Sequence, residues 1–344
     1  MKVIELREGN EPAWDEFVWH SPAATPYHLV GWKRVVEKTY GYPSHYLMAK
    51  EGGRIEGVLP LFEVRSRLVG HYLTTLYRGL CTENNEVAQM LVERAKEITI
   101  RADARYLVFR DSPQKWDAGL VSVEGYYTAI RDLPSEVESV WKSLDRDTRR
   151  QVRRARRNDL QITVGRGECL DDFYGLFSRF ARDVGTPVFS KKILQNIIQE
   201  LPDLPLVFLV WRGGEVIGAY WAFVFKKAIF GAWGASSHRY LSLGPEYLAY
   251  WEHLRYGCEH GYRRVDFGRC LKDSGHYLFK RKWASQFLPL YQQHFLNGPT
   301  GPLDILELAK TDPKYRLFTS LWRRLPVQVA QLIGPRIRRH LPFV

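Results

Sequence analysis

Two segments far apart in the chain carry the same turn. Residues 44–61 read Ser-His-Tyr-Leu-Met-Ala-Lys-Glu-Gly-Gly-Arg-Ile-Glu-Gly-Val-Leu-Pro-Leu. Residues 205–222 read Pro-Leu-Val-Phe-Leu-Val-Trp-Arg-Gly-Gly-Glu-Val-Ile-Gly-Ala-Tyr-Trp-Ala. In each, an apolar run meets Gly-Gly and a third glycine follows in the next run. Gly52, Gly53 and Gly57 correspond to Gly213, Gly214 and Gly218 at one constant offset. Adjacent glycines between apolar runs predict a β-hairpin, because both turn positions can take positive φ. The flanks repeat too. Helical patterns near 29–40 and 190–201 precede the hairpins, and helical patterns over 84–102 and 246–260 follow them. Gly261 stands where a helix C-terminus wants a glycine. Each second helix leads to a short strand ending in arginine, 106–110 and 265–269. The economical reading is a duplicated helix–hairpin–helix–strand unit, hence an α+β chain of two similar domains.

At 344 residues with 45% hydrophobic content, the chain can form one large or two ordinary globular domains. Its net charge of +12 favours anionic partners such as phosphates, nucleic acid or an acidic membrane surface. Four scattered cysteines, Cys81, Cys169, Cys258 and Cys270, form neither a zinc pattern nor a disulfide framework. The histidines lack metal-ligand spacing, so no metal is expected. The N-terminus has no apolar signal-peptide core, and no apolar run approaches membrane-spanning length. The expected location is cytoplasmic.

Between the copies, Ser135 is the expected N-cap of a helix, with Glu138 three residues on. A basic helix over 142–157 follows, with eight basic and two acidic residues. At helical spacing Arg146, Arg149, Arg150, Arg153 and Arg157 share one face, and Val152, Ala155 and Arg156 lie opposite. Such a face either binds phosphates, which suit the guanidinium fork, or is simply solvated. The tail from Tyr315 mixes leucines, Phe318 and Trp322 with arginines, and no acidic residue follows Asp312. Pro326 and Pro335 are expected to break it into short pieces. Its apolar face either packs on a domain or lies in an anionic membrane interface.

The stretch 265–283 concentrates the candidate chemistry. A strand ends in Asp266, Gly268 and Arg269, and Tyr277, Phe279, Lys280, Lys282 and Trp283 follow. Lys280 could stabilise an oxyanion. Asp266 could take a proton from an attacking amine or simply pair with a cation. Arg269 and Lys282 could hold phosphate or carboxylate, while Tyr277 and Trp283 could wall a pocket or belong to the core. The first copy has no equivalent cluster after Arg110. The chemistry is therefore expected in the second domain, with the first as scaffold or acceptor platform. Residues 239–247, Arg-Tyr-Leu-Ser-Leu-Gly-Pro-Glu-Tyr, resemble the Arg-x-x-Gly-x-Gly/Ala loop with which acetyltransferases hold the coenzyme A pyrophosphate. Arg239 and Gly244 would be its cofactor-binding residues. Ser242 and Pro245 depart from the pattern, and Pro245 removes an amide donor. A helix start with proline in its first turn fits the same residues.

Taken in order, Gly31-Trp32, Gly57-Val-Leu-Pro-Leu61, Thr148-Arg-Arg-Gln-Val-Arg-Arg-Ala155, Asp266-Phe-Gly-Arg269, Tyr277-Leu-Phe-Lys-Arg-Lys-Trp283, Trp322-Arg-Arg-Leu-Pro326 and Gly334-Pro335 resemble the Fem transferases. These are the aminoacyltransferases of peptidoglycan cross-bridges. The resemblance covers roughly residues 25–340 and points to the FemAB-like branch, which carries a BioF2-like acetyltransferase domain and is associated with exopolysaccharide or exosortase systems. It implies two tandem GNAT-like (acyl-CoA N-acyltransferase) domains with mixed central sheets flanked by helices. The expected division is 1–133, 134–300 with the basic helix 142–157, and a basic amphipathic segment 301–344. It further implies transfer of an acyl or aminoacyl group to an amine of an anionic cell-envelope or polysaccharide precursor. Acyl-CoA or aminoacyl-tRNA would be the co-substrate, with no other certain cofactor and no DNA. Lys280 would sit by the tetrahedral intermediate, and Arg149 and Arg153 would meet phosphates of the acceptor or tRNA. Peripheral contact with the inner face of the membrane is compatible. The long coiled-coil arm of some Fem enzymes has no counterpart here. The alternative is a non-catalytic phosphate-, lipid- or RNA-binding module on the same scaffold.

Overall fold

The computed structural model describes residues 1–298 and 312–341. It contains two compact units. Unit 1 comprises residues 1–126, 289–313 and 336–344, and unit 2 comprises 127–288 and 314–335. The expected partition into 1–133, 134–300 and 301–344 differs from these units. Residues 289–298 cluster with unit 1, and the tail is divided between the two. Residues 299–311 of the expected segments lie outside the described residues.

The repeat is longer than the hairpin motif revealed. Its first copy runs β1 (Lys2–Glu5), α1 (Glu11–His20), α2 (Gly31–Tyr40), β2 (Ser44–Glu51), β3 (Arg54–Ser66), β4 (Gly70–Thr74), α3 (Asn85–Arg101), β5 (Tyr106–Ser112) and β6 (Val121–Asp132). Then come α4 (Val137–Ser143) and α5 (Arg146–Arg157). The second copy runs β7 (Gln161–Gly165), α6 (Leu170–Val184), α7 (Lys191–Glu200), β8 (Pro205–Arg212), β9 (Glu215–Phe225), β10 (Ala228–Ser236), α8 (Pro245–Glu259), β11 (Arg264–Leu271), α9 (Gly275–Lys280) and β12 (Gln286–Leu296). Helices α10 (Pro313–Trp322) and α11 (Val327–Arg338) end the described chain. The strands β4 and β10 escape the hairpin pattern. The first is short, and Gly231 and Gly234 interrupt the apolar alternation of the second.

In unit 1 the strand order is β1-β2-β3-β4-β5-β12, and in unit 2 it is β6-β11-β10-β9-β8-β7. Both sets of strands are mixed, with β4 parallel to β5 and β10 parallel to β11. The Gly-Gly turns adopt positive φ at both positions, 53° and 90° in the first copy and 53° and 81° in the second. The two-residue connections close the pairs Glu51↔Arg54 and Arg212↔Glu215. The third glycine serves packing. A Cβ on Gly57 would lie 2.6 Å from Val87 of α3, and one on Gly218 would lie 3.3 Å from Pro245 of α8. Each bare backbone therefore lets its helix lie close against the sheet.

In unit 2 the core joins Phe208, Val210, Ile217 and Ala222 of the sheet to Leu248, Trp251 and Leu254 of α8 and Val152 and Ala155 of α5. The basic run is therefore not one helix over 142–157. Lys142 lies in the last turn of α4, Leu144 is buried, and Asp145 starts α5 by accepting the Thr148 amide and hydroxyl, each at 2.7 Å. Ser135 is not the cap of α4, whose N-cap position is Glu136. Arg156 is exposed rather than facing inward with Val152 and Ala155, while Arg149 is half-buried. Pro326 separates α10 from α11 as expected, whereas Pro335 lies inside α11.

Candidate functional site

β10 and β11 pair in parallel through Ala228↔Arg264, Ile229↔Val265 and Phe230↔Asp266. Both strands continue beyond that register, and a cavity of about 450 Å³ opens between their ends. Its volume falls within the range of ~300–1,000 Å³ usual for small-molecule sites. Residues 231–236 of β10 and Phe267, Gly268 and Arg269 of β11 line it.

The divergence has a local cause. Gly268 takes a left-handed φ of 76°, and a Cβ there would fall 2.7 Å from the carbonyl oxygen of Gly231. Only glycine fits that contact and turns the strand. Asp266 anchors the turn. Its Oδ1 accepts the Gly268 amide at 2.8 Å and also a hydrogen bond from the Thr128 hydroxyl. Helix α9 then closes over the bend, started by Ser274, whose Oγ accepts the Tyr277 amide at 3.2 Å. Its last residue, Lys280, is buried and points back. The Nζ donates to the carbonyl oxygens of Gly268 at 2.9 Å and Arg269 at 3.0 Å. Burial lowers the Lys280 pKa to about 8, opposed by Cys270 and Asp266 and aided by Arg269. Of three ammonium protons, two are spent on carbonyls, leaving one for a ligand in the cavity that Lys280 lines.

The other wall is aromatic and carries a second charge. Tyr250 stacks on Phe267 at 4.9 Å between ring centroids and meets Phe279 edge-on at 5.0 Å. Tyr220 and Ser236 share a hydroxyl–hydroxyl hydrogen bond of 2.8 Å. Glu246, in the first turn of α8, also lines the cavity. Burial pushes its carboxyl above the usual range, opposed by a hydrogen bond from Ser236 and by nearby His238. His276 is pushed down by burial and by Lys280.

Of the sequence candidates, the cavity unites Lys280 and Arg269. Asp266 is not among its lining residues. Its carboxylate is held by Thr128 and Gly268, which makes it a support for the bend rather than a base facing a ligand. Trp283 is fully buried in the unit 2 core. Tyr277 packs on Phe287, at 4.6 Å between centroids, and on Tyr127. Lys282 donates to the Tyr247 hydroxyl at 2.8 Å and faces Asp147 at 3.6 Å. Arg149 and Arg153 lie on α5, where Arg153 covers the Trp141 ring. Arg239 covers the Tyr240 ring. Gly244 is the N-cap of α8, and its amide is bonded to Leu241 O at 3.0 Å. None of these seven lines the cavity. Sequence reading missed Glu246, Ser236, Tyr220 and Tyr250. An acidic residue just after Gly244-Pro245 was the available signal, since carboxylates favour the first turn of a helix for its dipole alone. Among the described residues no cluster of His, Cys, Asp or Glu is arranged to hold a metal ion.

Residues 142–281 match the family model of an acetyltransferase (GNAT) domain. Comparison with curated proteins gives no match. Among solved structures, the chain is similar to FemX, with a TM-score of 0.67 and 17% identity over 90% of this chain and 100% of that one. It is also similar to the C-terminal domain of a putative lysylphosphatidylglycerol synthetase from Agrobacterium fabrum, at TM-score 0.57 and 14% identity over 83% and 91% of the two chains. A tandem GNAT protein from the clavulanic acid biosynthesis pathway gives 0.56 and 11% over 87% and 99%. At these identities the likeness is one of fold, and the fold is the FemX-like tandem GNAT fold.

Proposed function

On the premise that residues 142–281 are an acetyltransferase (GNAT) domain, we propose that this chain transfers an acyl or aminoacyl group to an amine at the cavity between β10 and β11. The observation that carries the reading is Lys280, an ammonium fixed by two backbone carbonyls at the cavity wall. An amine nitrogen attacks the acyl carbonyl carbon, forming the C–N bond and a tetrahedral oxyanion. The remaining Lys280 N–H is the donor for that oxyanion. Collapse breaks the bond to the leaving oxygen or sulfur, and the nitrogen loses its proton. Glu246, with its raised pKa on the same cavity, is the group suited to accept that proton.

The acceptor is read as an anionic cell-envelope or polysaccharide precursor. Support comes from the resemblance to Fem transferases and from α5, whose Arg150, Arg153, Arg154, Arg156 and Arg157 are exposed. The donor is read as an acyl thioester or an aminoacyl ester. At the N-terminus of α8, Pro245 offers no amide, the Gly244 amide is engaged, and the Glu246 carboxylate occupies the first turn. These features weigh against a coenzyme A pyrophosphate seated there, as they each remove or repel an anion contact.

The test is native mass spectrometry of ligands that copurify with the protein, followed by transfer assays with radiolabelled acetyl-CoA and with charged tRNA. Label in an amide product, lost in Lys280→Ala, supports the reading. Retention of anionic ligand with no transfer from either donor would favour the binding-module alternative.

A further inference from the structure

Helices α10 and α11 have two unlike faces. One packs on the rest of unit 2. Trp322 and Ala330 are buried, a Cβ on Gly334 would lie 3.2 Å from Val188, Arg182 donates to Leu325 O at 2.9 Å, and Gln331 donates to Ser178 at 2.9 Å. The other face is apolar and uncovered. Leu317, Leu321 and Leu332 are 60%, 54% and 65% exposed, and Val329 is exposed as well. Leu317 and Leu321 stand four residues apart on α10, and Val329 and Leu332 three apart on α11, so each pair forms a stripe. Isolated exposed leucines are ordinary, but stripes on consecutive helices mark an interaction surface.

The cations beside these stripes identify the occupant. Arg316, Arg323 and Arg324 are exposed, and no acidic residue lies between Lys314 and Pro335. The nearby Asp183 of α6 is paired with Arg182 at 2.6 Å. A second copy packed on this face about a two-fold axis would set arginines against arginines. Nucleic acid would leave the leucines in water. An anionic lipid surface satisfies both, since leucines enter the acyl boundary while guanidinium groups meet the headgroups.

We propose that the outer face of α10 and α11 docks this protein on an anionic lipid bilayer. The inference does not depend on the acyltransferase reading, yet the two are adjacent in the fold. Helix α6 gives Phe180 to the cavity wall and Ser178 and Arg182 to the contacts with α10 and α11. Docking would bring that side of unit 2 to the lipid surface.

The experiment is co-sedimentation of the full chain with vesicles of phosphatidylcholine alone and of phosphatidylcholine mixed with phosphatidylglycerol. Binding is expected only to the mixed vesicles. The double variant Leu317→Ser/Leu332→Ser should weaken it by about tenfold or more, as should Arg316→Gln/Arg324→Gln. All four side chains are exposed, so circular dichroism and Tm should stay at wild-type values. Absence of binding to mixed vesicles, equal binding to both compositions, or wild-type binding by the leucine variant would each overturn the proposal.

Discussion

Asp266 Oδ1 accepts the amide N–H of Gly268, two residues along the same strand, at 2.8 Å. This short-range bond holds the strand at the point where β11 leaves β10, and the bend in turn presents the Gly268 carbonyl to Lys280. The cavity is thus built on a carboxylate that does not face it.

Asp266→Ala should therefore act through position rather than chemistry. Loss of the Thr128 and Gly268 bonds inside the fold should cost about 2–3 kcal/mol of stability. Transfer should slow, and the pH at which activity falls should move lower, because the Asp266 carboxylate no longer supports the Lys280 ammonium. Urea denaturation and a pH–rate profile check the two parts. A variant as stable as wild type but inactive would instead make Asp266 a reacting group.

Gly268→Ala meets both a left-handed backbone and the Gly231 carbonyl at 2.7 Å. The expected cost is at least ~1–2 kcal/mol from the backbone conformation alone. It would appear as a lower urea midpoint with an unchanged m-value.

Lys280 has a sign that separates rate from stability. Its pKa in the folded protein is about 8 against an ordinary 10.5. If the ammonium stabilises the oxyanion, activity should fall as pH rises through about 8. Stability moves the other way over that window, because the unfolded chain retains a proton the folded one has released. Lys280→Arg should push the falling limb to higher pH, and Lys280→Ala should lower the rate by roughly 10²-fold.

Glu246 should govern the opposite limb. Its carboxyl titrates above the usual range through burial. Activity should rise with pH through that raised value, and Glu246→Gln should abolish the rising limb while leaving the one set by Lys280. A two-limbed profile surviving in the variant would remove Glu246 from proton transfer.

His253 predicts acid sensitivity. It packs on Phe208 with ring centroids 3.8 Å apart, donates through Nδ1 to Ala249 O at 2.7 Å, and is held neutral by burial, with its pKa lowered to about 4 from 6.5. Stability from this residue is complete above pH 6.5 and is lost as pH falls toward 4, by up to ~3 kcal/mol. His253→Gln should flatten the dependence of Tm on pH in that interval.

The sequence by itself determined the repeat, the hairpins and the helices around them. Gly52, Gly53, Gly213 and Gly214 encode turns through local backbone freedom, and apolar periodicity encodes the faces of α3 and α8. Such signals act over a few residues and need no knowledge of distant partners. It also singled out Lys280 and Arg269, though only as part of a cluster that included Asp266, Trp283 and Tyr277. Tertiary structure decided among them. Trp283 went to the core because Tyr247 and Tyr250 of α8 are its neighbours in space, which no local spacing reveals. Asp266 became a support because Thr128, from a strand far away in the chain, lies beside it. Glu246 joined the site because α8 sets its first turn against the end of β10, where burial rather than sequence context raises its pKa. The tail shows the same division. Its amphipathic character was legible, but only packing could show that Trp322 and Ala330 turn inward while Leu317, Leu321 and Leu332 face out.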